Sequence, residues 1–170
     1  MRKGTAIAIL FVLFLTSSSW ASIRKLPSFN LYTLRGEEIP FHPKNLTALF
    51  FIDPACFSCL ADLIQLSKIL EEGKIPLYPV CLQCDFRDVQ RLEDSLSGRF
   101  TIYFAHPSLP ALLGIWETPA LFLVNSEGKV LYQEKGEISL EALQSFITSY
   151  KPTQSSRKGR NDNCPAGICY

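Results

Sequence analysis

Apolar and polar residues come in blocks along this chain, and the length and period of each block predict an element. Leu46 to Ile52 is apolar except for Thr47 and rich in Leu and Phe, which suits a central strand buried on both faces. Asp53-Pro54 interrupts it, and Cys56-Phe57-Ser58-Cys59 follows at once. Leu60, Leu63, Ile64, Ser67 and Leu70 then recur at helical spacing until Gly73. Ile75 to Cys81 predicts a second apolar strand. Asp85 is placed to cap a helix with Val89, Leu92 and Leu96 on its face and Gly98 at its end. Phe100 to Ala105 is a third strand, and Leu109 to Leu113 a short helical piece. Ala120 to Val124 and Lys129 to Gln133 flank Asn125-Ser126-Glu127-Gly128, a hairpin signal. Ser139 starts a last helix whose stripe is Leu140, Leu143, Ile147 and Tyr150. Upstream, Leu26 to Phe41 reads as two short extended pieces around Arg35-Gly36-Glu37.

Strands alternating with helices predict one α/β domain over 22–150, with parallel strands finished by an antiparallel hairpin. The flanks differ in character. Arg2 and Lys3 precede the apolar run Thr5 to Leu15, and Ser19 and Ala21 are the small residues of a cleavage point, so 1–21 reads as a secretory signal peptide. The run falls short of the ~20 residues that span a bilayer, so membrane association is expected only if this segment is retained. The chain is therefore expected to be exported, to the periplasm or another extracytoplasmic space. Residues 151–170 form a basic tail: Pro152 to Asn163 carries no large apolar side chain and reads as a flexible linker to Cys164-Pro-Ala-Gly-Ile-Cys169. A length of 170 residues, 47% hydrophobic, suits one domain with a sizeable core, and a net charge of +1 offers no electrostatic grip on nucleic acid.

Export changes how the cysteines are read. All six lie downstream of the signal segment, in three close pairs: Cys56 and Cys59, Cys81 and Cys84, Cys164 and Cys169. An even count in an oxidising compartment favours disulfides. The first pair follows a buried strand and opens a helix, where unpaired backbone N–H groups and the helix dipole stabilise an anion. A thiolate there can have its pKa lowered from ~8.5 to within ~3.5–7.5. Cys56 is the candidate nucleophile, and Cys59, one turn along, is placed to resolve a mixed disulfide. A purely stapling role explains the pair poorly, because closing so short a loop removes little chain entropy.

At this point the residues resemble the TlpA/ResA-like thiol–disulfide oxidoreductases of the thioredoxin superfamily, over roughly Leu26 to Tyr150. Leu26-Pro27-Ser28-Phe29 with Leu31, Leu34 and Gly36 is similar to that family's opening hairpin. Leu49-Phe50-Phe51 and Cys56-Phe57-Ser58-Cys59 are similar to its active-site strand and redox motif. Trp116-Glu117-Thr118-Pro119-Ala120-Leu121-Phe122-Leu123 resembles its proline loop and following strand, and Ser126-Glu127-Gly128-Lys129-Val130 with Gly136 its terminal hairpin. The resemblance implies a thioredoxin-like fold: a central mixed sheet flanked by helices on both faces, with an N-terminal β-hairpin. It also implies a cis bond before Pro119, facing the cysteines, and substrate binding at the backbone of Thr118. The sequence departs from the pattern in three places. Ala55 replaces the usual aromatic before the first cysteine, Phe50 stands where thioredoxin keeps a buried acid, and Phe57-Ser58 matches no standard dipeptide. The source of base assistance and the direction of exchange stay open.

Cys81-Leu82-Gln83-Cys84 ends the second core strand, at the same edge as Cys56, and reads as a local disulfide or as a second redox station or metal pair. The spacing from Cys59 to Cys81 exceeds that of a usual four-cysteine zinc site, and no metal is expected. Cys164 and Cys169 read as a terminal disulfide loop or as a tethered relay to Cys56–Cys59. His42 and His106 read as loop residues, with His106 near the active edge, and Trp116 and Glu117 either shape a substrate groove or pack the loop. The expected reaction is exchange of the Cys56–Cys59 disulfide with dithiols of exported proteins and a redox partner protein, without a dissociable cofactor. The rival from another class is a copper-binding module using the same cysteines as soft ligands. A peroxiredoxin fits less well, since that family's Pro and Thr or Ser upstream of its peroxide-reacting cysteine are not reproduced: Pro54 is only two residues before Cys56.

Overall fold

The computed structural model describes residues 24–151; the expected signal peptide (1–21), residues 22–23 and residues 152–170 with Cys164 and Cys169 lie outside them. In chain order the elements are β1 (Asn30–Tyr32), β2 (Glu38–Pro40), β3 (Thr47–Ile52), α1 (Cys59–Glu72), β4 (Leu77–Cys81), α2 (Phe86–Ser95), β5 (Tyr103–Ala105), α3 (Leu109–Leu112), β6 (Ala120–Val124), β7 (Val130–Lys135) and α4 (Leu140–Ser149). The strands form one sheet in the order β2-β1-β5-β4-β3-β6-β7. β3, β4 and β5 run parallel, while the hairpins β1–β2 and β6–β7 attach antiparallel at the two sides.

All six residues of β3 are buried, which requires cover on both faces of the sheet. The two-residue period divides them. Ala48, Phe50 and Ile52 join Leu121, Leu123 and Cys81 in a cluster closed by Leu63, Leu66 and Leu70 of α1, Val89 of α2 and Leu143 of α4. Leu49 and Phe51 join Ala120, Phe122 and Val124 on the other face, covered by Leu109 of α3 and by Leu26, Leu31 and Phe41 of the N-terminal segment. Phe51 and Phe122 meet edge to face at 5.6 Å, the arrangement aromatic quadrupoles favour. The strands β3, β4 and β5 are laid down in one direction, so two right-handed crossovers put α1 and α2 on the same face. Helices therefore lie on both faces as expected, three on one side and the short α3 on the other.

Several boundaries moved, each for a local reason. β5 begins at Tyr103 rather than Phe100, because the Ile102 N–H donates to Glu93 Oε1 at 2.8 Å instead of to a strand. β4 begins at Leu77 rather than Ile75, and β7 runs on from Gln133 to Lys135. On α1 the fully buried stripe is Cys59, Leu63, Leu66, Ser67 and Leu70, so Leu66 takes the place expected of Leu60 and Ile64, which are only half-buried. Asp85 caps α2 as expected, in a reciprocal box: its carboxylate accepts the Asp88 N–H at 2.8 Å, and Asp88 accepts the Asp85 N–H at 3.1 Å. Ser139 caps α4, where only Leu143 of the expected stripe is fully buried.

Candidate functional site

The C-terminal ends of β3 and β4 and the start of β6 meet at one edge of the sheet. The register fixes this: Ile52 pairs with Cys81 and Phe51 with Ala120. The Asp53–Cys59 turn, the Cys81–Cys84 turn and the loop ending at Pro119 are thus brought together.

Asp53 shapes the first turn. Its carboxylate accepts the Ala55 N–H at 2.8 Å and its carbonyl accepts the Cys56 N–H at 3.0 Å. Cys56 is half-buried and bonded to Cys59, which is 1% exposed, with their Cα atoms 5.4 Å apart. The helix itself opens at Cys59, so Cys56 lies in the turn just before it rather than within its first turn. Ser58, at the cap position, has helical backbone angles (φ −76°, ψ −26°), and its hydroxyl makes no capping bond. It stands 3.7 Å from Cys56 Sγ instead. The first-turn N–H groups of α1 therefore have no side-chain acceptor competing with an anion at Cys56. Phe57 between the cysteines is 99% exposed. Asp62, one turn on, has its pKa raised by burial, partly offset by a hydrogen bond from Ser58.

The peptide bond between Thr118 and Pro119 is cis. Pro119 is buried at the start of β6 and its carbonyl accepts the Gly136 N–H at 2.8 Å, while Thr118 is half-buried. Beneath this loop Lys135 donates from Nζ to the Gly114 carbonyl at 2.6 Å, and it lies 5.7 Å from the centre of the Phe122 ring. Burial pulls the Lys135 pKa down, and the nearby Glu117 carboxylate pushes back. That carboxylate rests on Gly136 (φ +80°), where an added Cβ would come within 3.0 Å of Glu117 Cδ. Glu117 thus packs the base of the loop, and the adjacent Trp116 is 82% exposed.

Cys81 and Cys84 are bonded to each other, with Cα atoms 5.8 Å apart. Cys81 is 3% exposed and Cys84 half-buried, and Gln83 between them adopts φ +54°. His106 is exposed, its Nδ1 2.8 Å from Ser108 Oγ. It follows β5, two strands or about 10 Å from β3, and His42 follows β2 at the far side of the sheet. Among the described residues no three His, Cys, Asp or Glu side chains gather as a metal site, and no helix is long and apolar enough to cross a membrane.

Asp53, Asp62 and Lys135 escaped the reading of the sequence as site residues. The Asp-Pro dipeptide after a buried strand is a turn signal that points to Asp53. A cation next to Gly136 at a strand end was the available hint for Lys135, and nothing local singled out Asp62.

Fold and site together define a thioredoxin-like domain with a disulfide-bonded Cys-x-x-Cys between a central strand and its helix, beside a cis-proline loop. Solved structures with this fold include a Chlorobium tepidum protein provisionally assigned as thiol:disulfide interchange protein DsbE (TM-score 0.65, 24% identity, covering 76% of this chain and 97% of that one). A secreted Mycobacterium tuberculosis disulfide oxidoreductase homologous to Escherichia coli DsbE is similar at a TM-score of 0.57 and 20% identity, over 72% of this chain and 96% of that one. StoA from Bacillus subtilis is similar at 0.58 and 21%, over 74% and 98% of the two chains. No protein-family model and no curated protein matches the sequence.

Proposed function

We propose that this chain is an extracytoplasmic thiol–disulfide oxidoreductase of the TlpA/ResA-like kind, exchanging the Cys56–Cys59 disulfide with cysteine pairs of exported proteins. One observation carries this reading: a half-buried Cys56 stands before an uncapped helix start, bonded to a buried Cys59, at the sheet edge that also holds the cis Thr118–Pro119 bond. In exchange, the Cys56 thiolate attacks a substrate disulfide and expels one substrate thiolate, forming a mixed disulfide. Cys59 then attacks Cys56, closes the protein disulfide and releases the second substrate thiol. Thr118 offers its backbone to an extended substrate segment by strand-like hydrogen bonds.

The surface favours a polypeptide substrate. The four exposed large apolar side chains among the described residues are Phe57, Phe86, Leu112 and Trp116. Each lies on a segment at or next to this sheet edge, following β3, β4 or β5 or preceding β6. Exposed apolar side chains next to a site, here Phe57 between the two cysteines and Trp116 just before the cis bond, are a mark of protein recognition. The leader-like segment 1–21 and the description of the Mycobacterium tuberculosis neighbour as secreted support an extracytoplasmic location.

A Cys59→Ser variant tests the function, because it stalls the mixed disulfide. Expressed in cells, it is expected to accumulate disulfide-linked adducts through Cys56 that reductant releases, and their identity gives the partner and the direction. Absence of such adducts, together with tight stoichiometric copper binding by the wild-type dithiol, would replace this reading with the copper-module one.

A further inference from the structure

The Cys81–Cys84 disulfide takes no part in the exchange just described, yet its placement repeats that of Cys56–Cys59. Both pairs follow neighbouring parallel strands: Cys81 is the last residue of β4 and the register partner of Ile52, the last residue of β3, while Cys56 lies in the turn that follows Ile52. Adjacent strands lie about 4.8 Å apart, so the two turns leave the sheet side by side. The Leu82 N–H donates to the Ile52 carbonyl at 2.8 Å, which ties the start of the second turn to the strand end that feeds the first. Cys59 and Cys81 belong to the same buried cluster on one face of the sheet, and Cys56 and Cys84 pack against that cluster.

The two pairs differ in what faces their outer sulfurs. The start of α1 carries no side-chain cap, whereas the start of α2 is closed by the carboxylates of Asp85 and Asp88. The backbone N–H of Asp85 and the Arg91 guanidinium hold Asp88 below the ordinary carboxylate range, so it stays charged. The first-turn N–H groups of α1 are open to an anion at Cys56. The nearby acids there are Asp53, engaged by the Ala55 N–H, and Asp62, whose pKa burial raises. Cys84, by contrast, adjoins a helix start already occupied by two carboxylates. Stabilising a thiolate stabilises the reduced pair, and so makes its disulfide the stronger oxidant.

We propose that Cys81–Cys84 is a second redox centre that passes two electrons to Cys56–Cys59 by intramolecular thiol–disulfide exchange. The step rests on Cys56–Cys59 being the exchange centre proposed above. From the Cys81/Cys84 dithiol, the Cys81 thiolate attacks Cys59 across the shared cluster and expels Cys56 as the stabilised thiolate. Cys84 then attacks Cys81, closes the Cys81–Cys84 disulfide and releases Cys59. One of the two protons that the dithiol held ends on Cys59 and the other goes to solvent. Two electrons have moved, and one disulfide has replaced another.

The test uses the full chain carrying Cys164→Ser and Cys169→Ser, so that only four cysteines count. Equilibration in graded reduced and oxidised dithiothreitol, acid quench, alkylation and peptide mass spectrometry read each pair separately. Both pairs are expected to open and close reversibly in the folded protein, with Cys81–Cys84 requiring a redox ratio at least tenfold more reducing, which is about 30 mV. A fully reduced protein then reduces two equivalents of a model protein disulfide, and the version with Cys81→Ser and Cys84→Ser reduces one. In the Cys56→Ser/Cys84→Ser form, mild oxidation is expected to join Cys59 to Cys81. A Cys81–Cys84 bond that stays closed at every ratio without denaturant, or one equivalent from both proteins, overturns the relay and leaves the Cys56–Cys59 function standing. Zero equivalents from both overturns that function as well.

Discussion

The two Cys-x-x-Cys turns of this protein share their spacing and differ in what caps the helix that follows. Each leaves the end of a buried parallel strand, holds one buried and one half-buried sulfur, and leads toward a helix. The first runs straight into α1, whose opening N–H groups have no side-chain acceptor. The second is followed by Asp85, and a reciprocal pair of carboxylates takes up the opening of α2. The lesson is that Cys-x-x-Cys gains its chemistry from the residue at the helix cap, since that residue decides whether the helix end serves the sulfur or an acid.

The largest effect that would break the comparison is removal of Cys56, the proposed nucleophile. Cys56→Ser is expected to reduce disulfide-exchange turnover to the uncatalysed background, whereas Cys84→Ser keeps single-turnover exchange at Cys56–Cys59. Equal loss in both, with both variants folded by circular dichroism, would erase the assigned difference between the turns.

Exchanging the caps sharpens it. Ser58→Asp brings a carboxylate to the start of α1 and is expected to raise the Cys56 thiol pKa by about one unit, or ~1.4 kcal/mol. Asp85→Ala removes the acidic cap of α2, costs about 0.5–2 kcal/mol of stability in chemical denaturation, and moves the Cys84 thiol pKa down. Shifts of the same sign in the two variants would contradict the account.

A third change addresses the loop before β6, the strand that pairs with β3 on the side away from β4. Gly136→Ala places a Cβ at φ +80° and against the Glu117 carboxylate. The left-handed backbone alone costs about 1–2 kcal/mol, visible as a lower denaturation midpoint. The displaced Glu117 is also expected to raise KM for a protein substrate more than it lowers kcat.

The smallest effect concerns Asp62. Burial raises its folded-state pKa above the unfolded value, so the native state holds the proton more tightly. Its contribution to stability is full below the unfolded carboxylate pKa and is lost as pH rises through the folded value. Asp62→Asn is therefore expected to be slightly more stable than wild type at neutral pH, with the gain vanishing in acid. Parallel pH–stability curves for the two proteins would contradict this.

Most of the frame was legible because burial imposes period. The run ending at Ile52 was buried on both faces, the Asn125–Gly128 turn did join two strands, and Asp85 and Ser139 did cap their helices. Long-range contacts were not legible. Nothing near Ile102 in sequence announces that Glu93 will take its N–H, and nothing near Gly114 announces Lys135. The stripe on α1 shifted to Leu66 because β3, β4 and α4 pack against that helix, which its own periodicity does not record. At the site, Cys56 and Pro119 could be named from the chain alone. The missing cap at Ser58 could not, because serine is a good cap by type and only its backbone angles and the direction of its hydroxyl show otherwise.

The most direct measurement is the pH titration of the Cys56 thiolate by its far-ultraviolet absorbance. The protein is reduced and carries Ser at 59, 81, 84, 164 and 169. The account predicts a midpoint at least one unit below the ~8.5 of an ordinary cysteine, moving up in the Ser58→Asp form. A midpoint at or above the ordinary value, unmoved by that substitution, would contradict it.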